Sequence, residues 1–247
     1  MNLKDRVAIV TGTASGIGKG IALRFAAEGA AVAGFDIKIE KAEETAAAIK
    51  DSGGTAMALE ADVTKYAVIT KAVDKVLAEF GHIDILVNCA GAYRQMDFKD
   101  QQPKDWEWIL ELNVNGTLNC TRAVINHMIE REYGRIINIS SIAAEVGIKR
   151  MADYSASKGA IVSFTKALAI EVGPHSITVN SVAPGAILLG PPKGSAYQGK
   201  GIYLPRPGGT PADVAAIVAF LASDDAAYIT GANYTVDGGR VLGPRGS

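Results

Sequence analysis

The chain has 247 residues, 48% hydrophobic and 21% charged, with a formal net charge of -1. That balance suits a large buried core and excludes a disordered chain, and without a basic excess a nucleic-acid partner is not expected. The two cysteines, Cys89 and Cys120, stand in no metal or redox spacing and read as free thiols of a reducing compartment. Met1 to Asp5 is short and polar, without the apolar run of a signal peptide. No apolar stretch reaches the ~18 residues of a bilayer span, so a soluble, cytoplasmic protein with no membrane partner is expected.

From the N-terminus, the first apolar run is Val7 to Val10, followed by a glycine-rich turn and an amphipathic stretch from Ile17 to Glu28. The next run, Ala31 to Phe35, leads to a helical pattern from Lys41 to Asp51 that stops at Gly53-Gly54. Further runs follow at Ala56 to Leu59, Ile83 to Val87, Ile136 to Ile139, Ile177 to Val179 and Tyr234 to Val236. Most are continuous rather than alternating, as strands covered on both faces require. Repeated strand-helix alternation of this kind predicts an α/β fold: a Rossmann-type, doubly wound parallel sheet of about seven strands. No linker or repeat interrupts it, so residues 1–247 form a single domain. Only Ala186 to Gly209 breaks the pattern, with six glycines and four prolines in 24 residues. A long irregular segment of this type inside a compact domain reads as a substrate lid.

The first strand runs directly into Thr11-Gly12-Thr13-Ala14-Ser15-Gly16-Ile17-Gly18. Glycines there let backbone N–H groups approach a pyrophosphate, and the helix start favours its negative charge. A glycine turn that serves only packing is the alternative. No Gly-Lys-Ser/Thr follows, which excludes a nucleoside triphosphatase loop. The second strand ends at Asp36, about 20 positions on, where a carboxylate can accept hydrogen bonds from the adenosine ribose and repel a 2′-phosphate. NAD is therefore expected over NADP, with Lys38 the nearby cation that dilutes the preference; a turn or helix-cap role is the other reading of Asp36. Tyr154 and Lys158 are four apart, on one face of a helix. A phenol of pKa near 10 works as a base at neutral pH only if its anion is stabilised by roughly 4 kcal/mol, which a neighbouring ammonium can help supply.

Beyond these two sites the chain resembles the short-chain dehydrogenase/reductases along nearly its whole length. The resemblance rests on the glycine turn, Asp62-Val63, Asn88-Cys89-Ala90-Gly91, Asn113-Val114-Asn115-Gly116, Ser140-Ser141, Tyr154/Lys158, Asn180 to Gly185, and Val236 to Gly239. It implies hydride transfer between a nicotinamide cofactor and a hydroxyl or carbonyl carbon, with no metal. Ser141, thirteen residues before Tyr154, would hold the substrate oxygen, and Tyr154 would give or take the proton. Lys158 would lower the tyrosine pKa and hold the nicotinamide ribose. Asn113 would anchor a water linking Lys158 to solvent; Asn115 competes, but the Asn-x-x-Gly spacing favours Asn113. The cofactor would lie on Gly12, Ser15, Gly16, Ile17, Gly18 and Asp36, with Asp62 and Val63 at the adenine. Asn88, Ala90 and Gly91 would line its path, and Pro184, Gly185 and Ile187 would support the nicotinamide.

Two departures stand out. Cys89 replaces the usual second asparagine, and Leu189 replaces a threonine that bonds the carboxamide in many relatives, which shifts that contact to the backbone of Ile187. Tyr93, Val146, Ile148, Met151, Leu188 and Tyr197 or Tyr203 would wall an apolar substrate pocket, suited to a secondary alcohol or ketone. A 3-oxoacyl-carrier-protein reductase shares the motifs, but such enzymes are NADP-dependent and present arginines to the carrier where this chain has Glu132 and His175. A polyol or sugar dehydrogenase is a further alternative. A non-catalytic cofactor-binding scaffold is disfavoured because Asn113, Ser141, Tyr154 and Lys158 are all kept. The resemblance also implies a homotetramer built on the helices carrying Asn113 and Tyr154.

Overall fold

The first strand, β1 (Val7–Thr11), is buried at every position. Its side chains alternate between two cores: Ala8 and Val10 enter one, Val7 and Ile9 the other. This explains the continuous apolar run. The computed structural model, which describes residues 2–190, 202–204 and 206–243, pairs β1 in parallel with β2 (Ala31–Asp36) and β4 (Ile85–Asn88). The sheet continues through β3 (Thr55–Glu60) on one side. On the other it adds β5 (Gly134–Ile139), β6 (Ile177–Pro184) and β7 (Asn233–Val236). All pairings are parallel, in the order β3-β2-β1-β4-β5-β6-β7. The expected doubly wound sheet is therefore present. Its strand order reverses between β1 and β4, where the C-terminal strand ends open a crevice.

One face carries α1 (Gly16–Ala27), α2 (Ile39–Asp51) and α8 (Pro211–Ala222), with Ile21, Phe25, Val214, Val218 and Leu221 fully buried. The other carries α3 (Tyr66–Phe80), α5 (Gly116–Glu130) and α7 (Ala152–Val172), packed through Ile69, Val76, Val124 and Met128. Ahead of α5 lies α4 (Pro103–Leu110), started by Pro103 and a reciprocal cap between Gln102 and Asp105. At Asn113 a π-helical turn, Glu111–Asn115, separates α4 from α5. Such turns widen the helix locally and recur at functional sites. A short α6 (Ala143–Val146) follows β5.

Segment 186–209 is entered and left side by side. Ile187 bridges Gly209, the Leu188 N–H donates to the Gly209 carbonyl at 2.8 Å, and the Gly209 N–H donates to Ala186 at 2.9 Å. Farther along, the Tyr203 N–H donates to the Gly238 carbonyl at 2.8 Å. Tyr197 lies outside the described residues. Among those described, no helix is long and apolar enough to cross a membrane. His82 and His127 gather instead at the start of β4: His82 Nε2 is 3.0 Å from Asp84 Oδ2, and His127 Nε2 accepts the Ile83 N–H at 3.2 Å.

Candidate active site

The glycine turn connects β1 to α1 at the crevice. Thr11 Oγ1 accepts the N–H groups of Cys89 and Ala90, both at 2.9 Å, and so clamps the ends of β1 and β4 together. Ser15 at the start of α1 is extended and makes no side-chain cap, and no acidic residue stands in the first turn. The first N–H groups of α1 are therefore left for an anion. A Cβ at Gly18 would run into the Gly12 carbonyl oxygen, main chain against main chain. Gly18→Ala should consequently cost roughly 1–3 kcal/mol of stability through overpacking. It should also weaken NADH binding, read by thermal unfolding and by fluorescence titration.

Asp36 sits on the rim of the same crevice. Its Oδ2 accepts the Ala14 N–H at 2.9 Å and its Oδ1 accepts the Lys38 N–H at 2.9 Å. Each oxygen keeps a second lone pair for a ribose hydroxyl. The turn-forming and ribose-binding readings of this residue are thus compatible. Asp62 forms a similar turn, its Oδ1 accepting from Thr64 N and Oγ1 at 2.9 and 2.8 Å. Buried Val63 packs against Gly116 at the π turn.

Tyr154 and Lys158 project one turn apart from α7 toward the end of β5. Tyr154 and Ser141 line the same cleft, with Ser141 favouring the ionised phenol; Ser141 Oγ accepts the Ala143 N–H at 3.1 Å. Ser140 turns the other way, toward the Val182 carbonyl and Asn233 Oδ1. Lys158 is buried and its Nζ donates to the Ile139 carbonyl at 2.8 Å. Buried Asn113 grips Ala92 twice: Oδ1 accepts its N–H and Nδ2 donates to its carbonyl, both at 3.0 Å. The remaining Nδ2 hydrogen goes to Ser157 Oγ at 3.0 Å. A side chain at Gly91 would come 2.9 Å from Asn113 Oδ1 and 3.5 Å from Lys158 Nζ, so only glycine lets this loop lie against both. With both amide hydrogens committed, the Asn113 side chain acts here as a clamp on the loop, and its main-chain carbonyl accepts Thr117 Oγ1 at 2.9 Å.

The electrostatics differ from expectation at one point. Burial pushes the Tyr154 phenol above its ordinary value, opposed by Ser141. Lys158 does not hold it down in this arrangement: its Nζ is aimed at Ile139 and lies 5.7 Å from the tyrosine ring centroid. Burial instead pushes Lys158 down to about 8. The Cys89 thiol, beside the cleft, is pushed up to about 12 by the same cause, which makes it inert and consistent with a packing role.

A single cleft of about 1320 Å³ joins these groups. Its walls include Gly12, Ser15, Gly16, Ile17, Gly18, Asp36, Asp62, Val63, Ala90, Gly91, Ser141, Tyr154, Lys158, Pro184, Gly185 and Ile187, and at the far end Tyr93, Ile148 and Met151. Five expected residues among those described are not on the wall: buried Asn113, Tyr203, Asn88, Val146 and Leu188. The Asn88 amide turns into the core, donating to Thr121 Oγ1 at 3.0 Å and Asn138 Oδ1 at 2.8 Å. Val146, on the short α6, points to solvent. Leu188 is drawn away by its bridge to Gly209 and packs over Gly208, while Leu189 takes the wall and lies over Gly16. Thr11, Ser157 and the Asn138–Thr165 pair, joined at 2.9 Å, were not singled out from the sequence, because buried threonines and asparagines carry no spacing signal of their own.

A glycine turn at an open helix start, a carboxylate at the next strand end and a Ser-Tyr-Lys set at the switch point define a dinucleotide-dependent oxidoreductase. Residues 6–193 match the family model described as short chain dehydrogenase. The chain is 41% identical to the short-chain reductase protein NovJ of Streptomyces niveus, over 96% of this chain and 94% of that one. It is 40% identical to the 3-oxoacyl-acyl-carrier-protein reductase FabG of Escherichia coli (strain K12), over 98% and 100%. Among solved structures, that titled "Crystal structure of gox2181" matches with a TM-score of 0.91 at 31% identity, covering 98% of each chain. The chain belongs to the short-chain dehydrogenase/reductase family, whose members act on CH–OH groups with a nicotinamide cofactor.

Proposed function

We propose that the protein interconverts a secondary alcohol and a ketone with NAD(H), using Tyr154 as the acid/base. The observation that carries this reading is the placement of Ser141, Tyr154 and buried Lys158 on the wall of one cleft that also holds the glycine turn and Asp36. The glycine-lined helix start and the free lone pairs of Asp36 fit a dinucleotide. When bound, it supplies or accepts the hydride. Ser141 holds the substrate oxygen and Tyr154 Oη moves its proton. Asn113 fixes the loop at Gly91 against Lys158, and Lys158 binds the nicotinamide ribose. The apolar wall of Tyr93, Ile148 and Met151 suits a substrate with a hydrophobic body. Residues 186–209 serve as its lid.

Asp36 supports NAD over NADP. At ~4 Å and an effective dielectric near 20, a carboxylate repels each unit of a 2′-phosphate charge by about 4 kcal/mol, less with exposure. Exposed Lys38 offsets part of this. NADH should bind at least about tenfold tighter than NADPH. Asp36→Ala should narrow that gap by removing both the repulsion and the ribose contacts. Fluorescence titration with each cofactor tests this, and tighter binding of NADPH to the wild type would overturn it. The general reading is tested by a panel of alcohols and ketones followed by NADH absorbance.

The likeness to a carrier-protein reductase favours a second reading, with an acyl thioester as substrate. Turnover of an acyl-carrier-protein substrate with NADPH, and not with the free ketones, would select it. The assembly we propose is a cytoplasmic homotetramer. It is supported by exposed apolar side chains on the helices concerned, Trp108 and Leu110 on α4 and Ile170 on α7.

A further inference from the structure

Between Gly91 and the substrate end of the cleft, Ala92–Met96 contains neither helix nor strand. Its shape must be set by individual ties. Ala92 is held by Asn113, and the Met96 N–H donates to the Arg150 carbonyl at 2.9 Å. Between them Tyr93 leans on the catalytic tyrosine, with ring centroids 5.7 Å apart and planes at 56° to Tyr154. Gln101 Nε2 donates to the Met96 carbonyl at 3.4 Å, and a further tie is Arg94. Its Nη1 lies 2.9 Å from Asp105 Oδ1 on α4, and its Nε lies 3.9 Å from Asp153 Oδ2 at the start of α7. The guanidinium stands 5.7 Å from the Trp108 ring centroid.

Asp153 is the unusual member. Its side chain is 0% exposed, and its Oδ1 accepts the N–H of Tyr154 at 2.8 Å. Asp153 Oδ2 and the Nε and Nη2 of Arg94 are buried without a hydrogen-bond partner among the described residues. A carboxylate so deeply buried needs a cation, yet the two groups stand beyond hydrogen-bond distance. A buried pair that served stability alone gains little over apolar packing. This one links the wall residue next to Arg94 with the helix turn that carries Tyr154.

We propose that Arg94 is a positioning residue for the reaction: by bridging Asp105 and Asp153 it fixes Tyr93 against Tyr154 and so sets the phenol for proton transfer. The inference rests on the acid/base role of Tyr154 proposed above. Arg94→Met should lower kcat by at least about tenfold, as expected for a small misplacement of a reacting group, and leave the NADH Kd within about twofold. Arg94→Lys, which cannot fork between two carboxylates, should restore kcat only in part. Arg94→Met/Asp153→Asn removes both charges and protects against misfolding around a stranded carboxylate; its kcat should stay low. Because Arg94 acts through Tyr93, Tyr93→Ala/Arg94→Met should be no slower than the worse single variant.

Hydrogen exchange provides an arm that does not need turnover: protection across 92–96 should fall in Arg94→Met. Wild-type kcat in the doubly neutral variant, full multiplication of the Tyr93 and Arg94 losses, or unchanged exchange in 92–96 would each overturn the proposal. If the wild type turned over no member of the panel, the functional reading would fail by itself. The exchange arm would still decide whether Arg94 holds the loop.

Discussion

Tyr154→Phe should reduce turnover by about 10³-fold or more, near the upper range for general acid/base catalysis, while the NADH Kd stays within about twofold of the wild type. The substitution removes one oxygen. The ring, its contact with Tyr93 and the main chain of α7 are unchanged. The glycine turn and Asp36 do not touch the phenol. The direction of the phenol's shift adds a second expectation. Burial raises Tyr154 above its ordinary value, so around neutral pH the group is protonated and ready to donate to a ketone oxygen. Alcohol oxidation needs the anion. Its kcat should climb as pH is raised above neutrality, and ketone reduction should show no matching climb. Steady-state rates in both directions across pH test this. A phenylalanine variant that kept more than a few per cent of activity would place the acid/base elsewhere.

The sheet was legible because its signal is local and repeated. Val7 to Val10 are apolar on both faces, as are Ile136 and Ile137, and parallel strands between helical layers demand that. Strand ends were less visible: β6 runs on to Pro184 through Asn180 and Ser181, polar yet buried, whose side chains bond Ile229 and Ala232 ahead of β7 and Asn233 at its start. The set we propose as catalytic was picked out from ordered motifs, and the structure brings Ser141, Tyr154, Lys158 and Asn113 close together. What the sequence could not give was direction. Asn88, Cys89, Ala90 and Gly91 are consecutive, but β4 ends at Asn88 and its side chain alternates into the core while the next three line the cleft. Leu188 and Leu189 exchange roles for a similar reason: one bridge, Ile187 to Gly209, fixes which of the two faces the glycine turn. The Arg94 contacts are also invisible from spacing, because Asp105 and Asp153 come from elements joined only by the fold.

Replacing Lys158 should produce opposite effects on function and stability. In the folded protein burial pushes the ammonium down to about 8 from its ordinary 10.5, so the fold disfavours the charge by about 3 kcal/mol. This cost is present in full below pH 8, where the lysine is charged in both states. Between pH 8 and 10.5 the folded chain releases the proton while the unfolded chain keeps it, so the unfolded state binds more protons and stability from this group rises with pH. Above pH 10.5 the cost is gone. Lys158→Met carries no charge and escapes it at every pH. The stability of Lys158→Met relative to the wild type should therefore be most favourable near pH 7 and fall by about 3 kcal/mol by pH 10.5. The lost hydrogen bond to Ile139 shifts the whole difference downward by roughly 1–3 kcal/mol without changing its slope. Turnover should be lost, and NADH affinity with it, if the same Nζ serves the ribose as proposed. Urea unfolding of both proteins at several pH values measures the slope. A difference that did not change between pH 7 and 10.5 would mean that Lys158 titrates as an ordinary lysine and that its burial does not set its charge.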